Sequence, residues 1–214
     1  MCFSATASFV AGTALSATGA VTLAETKKKS DIPFASLPFL FGIQQFIEGG
    51  VWLSFQYGLP YLNQIATYSF MLFAYIFWPV FIPFAVGLLE TDSHRKKILY
   101  AFQFVGLAVG SYLLYFIVTH PAVSQVVNKS IVYTVPKEYG VFLVGMYLVA
   151  TCVSCLFSTH RIINLFGVLA VLSLAIAYYF FTASYVSVWC FFAAILSIVV
   201  YLYFRDRSIE YVGI

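Results

Sequence analysis

Apolar residues run along this chain in long blocks, divided by short polar breaks at nearly regular intervals. The blocks cover residues 3–24, 34–55, 66–89, 98–119, 139–157, 162–182 and 185–204. Each is close to the roughly 20 residues that a helix needs to cross a hydrocarbon core. The blocks are continuously apolar rather than alternating, which predicts helices and argues against a barrel. The pattern predicts an all-α protein, a seven-transmembrane-helix bundle, with one transmembrane domain over residues 1–214. The weakest break is at Thr182, Ser184 and Tyr185; merging the blocks on either side of it would leave six spans.

Composition supports a bilayer rather than a soluble core. The 214 residues are 62% hydrophobic and 9% charged, with a mean hydropathy of +0.94. The position of the charges says more than their sum of +3. Lys27, Lys28 and Lys29 follow the first block, Arg95, Lys96 and Lys97 the third, Arg161 the fifth, and Arg205 and Arg207 the seventh. The opposite loops carry only Lys129 and Lys137. The positive-inside rule then predicts an outside N-terminus and a cytoplasmic C-terminus in a cell membrane. The basic loops are too short for a nucleic-acid surface. No basic stretch precedes the first block, which is rich in small residues, so it does not read as a cleaved signal peptide.

Ser8, Gly12, Ser16 and Ala20 recur at every fourth position of the first block, flanked by Ala7, Ala11 and Gly19. This spacing lets helix backbones approach closely and predicts a first helix at the centre of the bundle. Trp78-Pro79 and Pro83 predict a bend in the third helix. The longest connection, 120–138, is expected outside as a loop. Its Asn128-Lys129-Ser130 triplet is an acceptor sequon only in a eukaryotic secretory route.

Glu48 stands inside the second block, about two-thirds of the way along it. A carboxylate in a bilayer is costly and usually faces a cavity or a partner. Gln44, Gln45 and Trp52 lie four residues before, three before and four after it, on one helical face. Cys2 begins the first block, Cys190 lies a turn or two inside the seventh, and His120 ends the fourth; all fall at the depth of Glu48. Trimming of Met1 would expose an amine beside the Cys2 thiol. Two thiols, an imidazole and a carboxylate can hold a metal, and soft sulfur favours copper or zinc. Cys2, Glu48, His120 and Cys190 are therefore candidate metal ligands, and Glu48 is the candidate catalytic base toward a metal-bound water. Gln44, Gln45, Trp52 and Trp189 are expected to line the pocket. Glu90 and Asp92 are expected to pair with Arg95 or the basic tail, with Glu90 and Arg95 forming an inner rim. Cys152-x-x-Cys155 closes an apolar helix and reads as packing.

Met1-Cys2-Phe3-Ser4-Ala5, Pro38, Gln45, Glu48-Gly49, Trp52, Trp78-Pro79 and Ser187-Val188-Trp189-Cys190-Phe191-Phe192-Ala193-Ala194 together resemble an uncharacterised family of small polytopic membrane proteins, a domain of unknown function. The resemblance spans nearly the whole chain. It implies that Cys2, Glu48 and Cys190 act as one set, and it supplies no activity. Three function classes remain open: a metal-binding membrane protein, catalytic or not; a small-solute or proton transporter or channel that uses Glu48; and a receptor-like or scaffold protein. The expected partners are the lipid bilayer and a metal ion or small-molecule ligand.

Overall fold

The structure is a computed structural model that describes residues 4–134 and 140–212. The described residues form seven helical rods. The first is α1 (Ala5–Ala24), capped by the Ser4 hydroxyl, which accepts from the Ala7 N–H at 3.2 Å. The second is the short α2 (Ile32–Ala35) leading into α3 (Leu37–Gln56). The third joins α4 (Pro60–Met71) to α5 (Trp78–Leu89) through a π-helical stretch, Leu72–Phe77. The fourth is α6 (Ser93–Thr119). The fifth joins α7 (Val141–Leu148) to α8 (Ser154–Leu156) through a second π-helical stretch, Val149–Val153. The last two are α9 (Arg161–Phe180) and α10–α11 (Tyr185–Leu196 and Ile198–Val212). The break at 182–185 separates two rods, as its polar residues predict.

Five rods are long and apolar enough to cross a membrane: α1, α4–α5, α6, α9 and α10–α11. The α3 rod is diluted by Gln44, Gln45 and Glu48, and the fifth is a shorter apolar helix, Phe142–Leu156. Length and composition alone mark five of the seven rods as candidate crossings.

The bend expected in the third rod has a specific form. Pro79 cannot donate to the carbonyl four residues back, and its ring crowds that carbonyl. The helix accommodates this by opening into the wider π turn just before Trp78. Pro83 in turn leaves the Pro79 carbonyl without a helical donor, and that carbonyl faces Gly106 of α6. A Cβ on Gly106 would fall 2.8 Å from the Pro79 carbonyl carbon and closer still to its oxygen.

The position of α1 corrects the sequence expectation. Its buried face is Ser8, Gly12, Leu15, Gly19 and Thr22, and it packs mainly on α3. Ala20 is exposed, as are Val10 and Val21. The small residues do give close approach: Cβ atoms on Gly12 and Gly19 would fall 2.9 Å from the Phe46 ring and 2.6 Å from the Phe39 Cα. They serve one antiparallel pair at the periphery, however, and α3 and α5 form the centre.

The long connection, expected as a loop, contains a hairpin. Strands β1 (Val123–Val127) and β2 (Ser130–Thr134) pair antiparallel, Val123 opposite Thr134 and Val127 opposite Ser130. Asn128 and Lys129 turn the chain with φ of 49° and 61°. Two positive φ values match the twist of a tight hairpin, and asparagine tolerates the first. The buried Tyr133 ring stacks on Phe70 at 4.2 Å, which seats the hairpin on the bundle end.

Two apolar cores are stacked along the bundle. One, nearer the basic end, includes Phe34, Phe41, Trp78, Ile82, Leu99, Phe166 and Phe204. The other, nearer the hairpin, includes Val51, Phe70, Met71, Tyr75, Leu113, Ile131 and Cys190. Between Phe41 and Val51 on α3 lie Gln44, Gln45 and Glu48, all buried. A polar layer thus separates the two cores.

Candidate functional site

The polar layer is built on one face of α3. Glu48 is completely buried, and the Ser187 hydroxyl of α10 donates to its Oε1. Gln44 is equally buried, and its Oε1 accepts from the Trp78 indole N–H at 2.8 Å. Trp78 stacks on Phe41 at 4.0 Å and closes the layer toward the basic end. Cys190, one turn beyond Ser187 and itself buried, lies beside the Gln44 amide and the Glu48 carboxyl. Ser187, which enters the sequence pattern only as part of the last-helix motif, is the side chain that holds the carboxyl. It lies three residues before Cys190, so the two share one face of α10.

The antiparallel pairing of Phe9 with Gly49 and of Gly12 with Gly42 places Ser8 of α1 opposite this stretch of α3. Among the described residues, Ser8 Oγ, Trp52 Nε1 and both amide atoms of Gln45 are buried without a hydrogen-bond partner. Buried polar groups are nearly always satisfied by protein or ordered water, so several together mark a place that the described side chains alone leave unsatisfied. One turn further along α3, Trp52 lines a cavity of about 320 Å³ with Ser4, Ala5, Phe55 and Gln56.

The four proposed metal ligands do not assemble as drawn. His120 caps α6 at the rim, its ring stacked on Phe116 and its Nδ1 2.9 Å from the Thr119 hydroxyl. It takes no part in the polar layer. Cys2 lies outside the described residues. Glu48 and Cys190 do converge. Among the described residues, no three His, Cys, Asp or Glu side chains come together closely enough to hold a metal ion. Trp189 turns from the layer: its N–H donates to the Ala170 carbonyl at 2.9 Å, and its ring packs against Tyr147. Cys152 and Cys155 are buried free thiols.

The opposite rim is braced by hydrogen bonds, and among the described residues no ion pair joins Glu90 or Asp92 to Arg95. Glu90 is buried and accepts from the N–H groups of Thr91 and Asp92 at 2.9 Å and from the Thr159 N–H and hydroxyl at 2.8 and 3.0 Å. Burial pushes its pKa up, but the donors of Asp92, Thr159 and Thr91 outweigh that and hold the carboxyl below its ordinary value. Arg95 donates to the carbonyls of Phe157 and Ser158, and Asp92 caps α6 through the Arg95 N–H. The α5–α6 and α8–α9 connections are thereby tied together.

Residues 1–212 match the model of a family described as a family of unknown function (DUF6629). The chain belongs to that family. It matches no curated protein and no solved structure. Membership thus covers both end motifs and the α3 stripe, and it assigns no activity to them.

Proposed function

We propose that this is an integral membrane protein that binds a polar group, a proton or the polar part of a small ligand, at Glu48, in the layer between its two apolar cores. The carrying observation is the group of unpartnered buried atoms on Gln45, Ser8 and Trp52 beside a completely buried carboxyl. The bundle ends support a crossing of all seven rods. Tyr57, Tyr61, Tyr115, Tyr178 and Tyr179 are exposed toward the hairpin end, as an interfacial belt requires, and most of the basic residues lie toward the other end. On that reading the hairpin end is outside, and Glu48, eight residues from the end of α3, lies on the order of 12 Å along the helix from that rim.

The test is proton flux into proteoliposomes loaded with a pH-sensitive dye. The wild-type protein is expected to conduct, and Glu48→Gln to reduce flux at least about tenfold while remaining folded. Equal flux in the two proteins refutes the role of Glu48.

The nearness of Cys190 to Glu48 favours a second reading, a copper or zinc ion held by Cys2, Glu48 and Cys190. Ser4, two residues after Cys2, already lines the cavity at Trp52. On this reading purified protein carries about one equivalent of metal, which Cys2→Ala and Cys190→Ser both remove. Metal-free wild-type protein prepared without chelator excludes it.

A further inference from the structure

Cys190 forms a wall between the polar layer and two apolar clefts. The first, about 50 Å³, lies between Ala74, Tyr75, Leu143, Tyr147, Leu174 and Val186. The second, about 40 Å³, lies deeper, toward Phe41, Ile82, Phe166 and Ala193. Tyr147, Trp189 and Cys190 line both. Together they follow α10 from Tyr185 to Ala193, eight residues or about 12 Å. Their outer side is formed by half-buried residues of α7 and α9, such as Leu143 and Leu174.

Both π-helical stretches border these clefts: Leu72–Phe77 supplies Ala74 and Tyr75, and Val149–Val153 supplies Thr151 and Cys152. A π turn widens a helix locally and recurs at ligand sites. The polar groups of Tyr147 and Trp189, shared by both walls, are already engaged. The Tyr147 hydroxyl donates to the Ala74 carbonyl at 2.5 Å, and the Trp189 N–H to the Ala170 carbonyl. The clefts thus offer mainly apolar surface, whereas Gln45, Ser8 and Trp52 offer unmet donors and an acceptor.

We infer that the Glu48 pocket continues sideways past Cys190 into these clefts, and that its substrate is a single-chain amphiphile with an uncharged hydroxyl or carbonyl head. The inference rests on the reading of Glu48 and its neighbours as a binding pocket, and it names what binds. The head sits in the polar layer, where Gln45 both donates and accepts. The chain lies against Tyr147 and Trp189 with one side toward lipid. Such a ligand arrives from the bilayer rather than from water.

The probe is hexadecanol carrying a diazirine midway along its chain, added to the full-length protein in lipid nanodiscs. Photolabelling is expected to concentrate on peptides containing Leu143, Leu174 and Val186. Excess unlabelled hexadecanol should reduce it at least about fivefold. Val186→Trp fills the first cleft, and Gln45→Leu removes a head partner that makes no bond within the described protein; each should lower competable labelling by a similar factor. Diffuse labelling that hexadecanol does not compete overturns the proposal. So does labelling that is equally strong with the hydroxyl-free hexadecane analogue and indifferent to Gln45→Leu. That last result leaves the proton-flux assay to judge Glu48 separately; loss of flux in Glu48→Gln with no competable label retains the polar pocket and removes the amphiphile.

Discussion

Gly106→Ala is expected to prevent the fourth rod from seating on the third, with loss of most folded protein from the membrane fraction. The added Cβ meets backbone, the Pro79 carbonyl, and not the end of a flexible side chain. No rotamer change relieves such a clash, so the helices must part by about 1 Å along their contact, and overpacking of this kind costs about 3 kcal/mol or more. The parted helices would also open Leu99 and Ile82, which belong to the apolar core beside this contact. Size-exclusion profiles and thermal melts of the detergent-purified protein measure the effect. A control is Gly87→Ala, because the nearest atom to a Cβ there is Leu99 Cβ at 3.8 Å, an ordinary contact. A Gly106→Ala protein as stable as its Gly87→Ala counterpart would refute the close packing of α5 on α6.

Removing the Glu90 carboxylate is the second large effect. Four donors converge on it from two connections, and three of them are backbone N–H groups that have no substitute nearby. Glu90→Ala is expected to destabilise the protein by about 2–4 kcal/mol, as for other buried charge-assisted networks. Glu90→Gln should be only partly better, since its amide presents N–H where Thr159 also presents N–H. The pH dependence has a definite sign. The carboxyl is held below its ordinary value in the folded protein. Its contribution is therefore fully present above the unfolded value of about 4.3 and is lost as pH falls through the lower folded value. Melting temperature against pH from 7 to 3 should show a steeper acid-side fall in the wild-type protein than in Glu90→Gln. Parallel curves would show that the carboxylate adds nothing to stability.

Much of the helical layout was legible because apolar block length is a strong signal in a chain that cannot leave backbone unpaired in lipid. Even the short break at Thr182 to Tyr185 fell between two helices. The place of α1 was misread for a clear reason. Small residues at every fourth position report how near a neighbour comes, and say nothing about how many neighbours there are. The hairpin was readable in principle, since β-branched residues flank Asn128-Lys129 on both sides, but five-residue strands leave no mark in a pattern of long apolar blocks. For the site, Glu48 and the α3 stripe could be found from charge in an apolar context. Ser187 could not be singled out, because a serine on an apolar helix carries no sign of its partner 139 residues away. Depth alone suggested His120 as a companion of Glu48; depth leaves the azimuth of each helix undetermined, and His120 points elsewhere.

The polar layer between the two apolar cores has a consequence for how the rods find their alignment. Greasy helices in lipid can slide or roll past one another with little change in dispersion energy, since one screw position buries almost as much as the next. The bonds from Ser187 to Glu48 and from Trp78 to Gln44 exist at one setting only, and they join α10 and α5 to the same turn of α3. Any one-turn slip would strand a carboxyl and an amide in hydrocarbon. The layer therefore acts as an indexing point for the assembled bundle, and a protein in which it is made wholly apolar should hold its helices together while losing a unique arrangement of them.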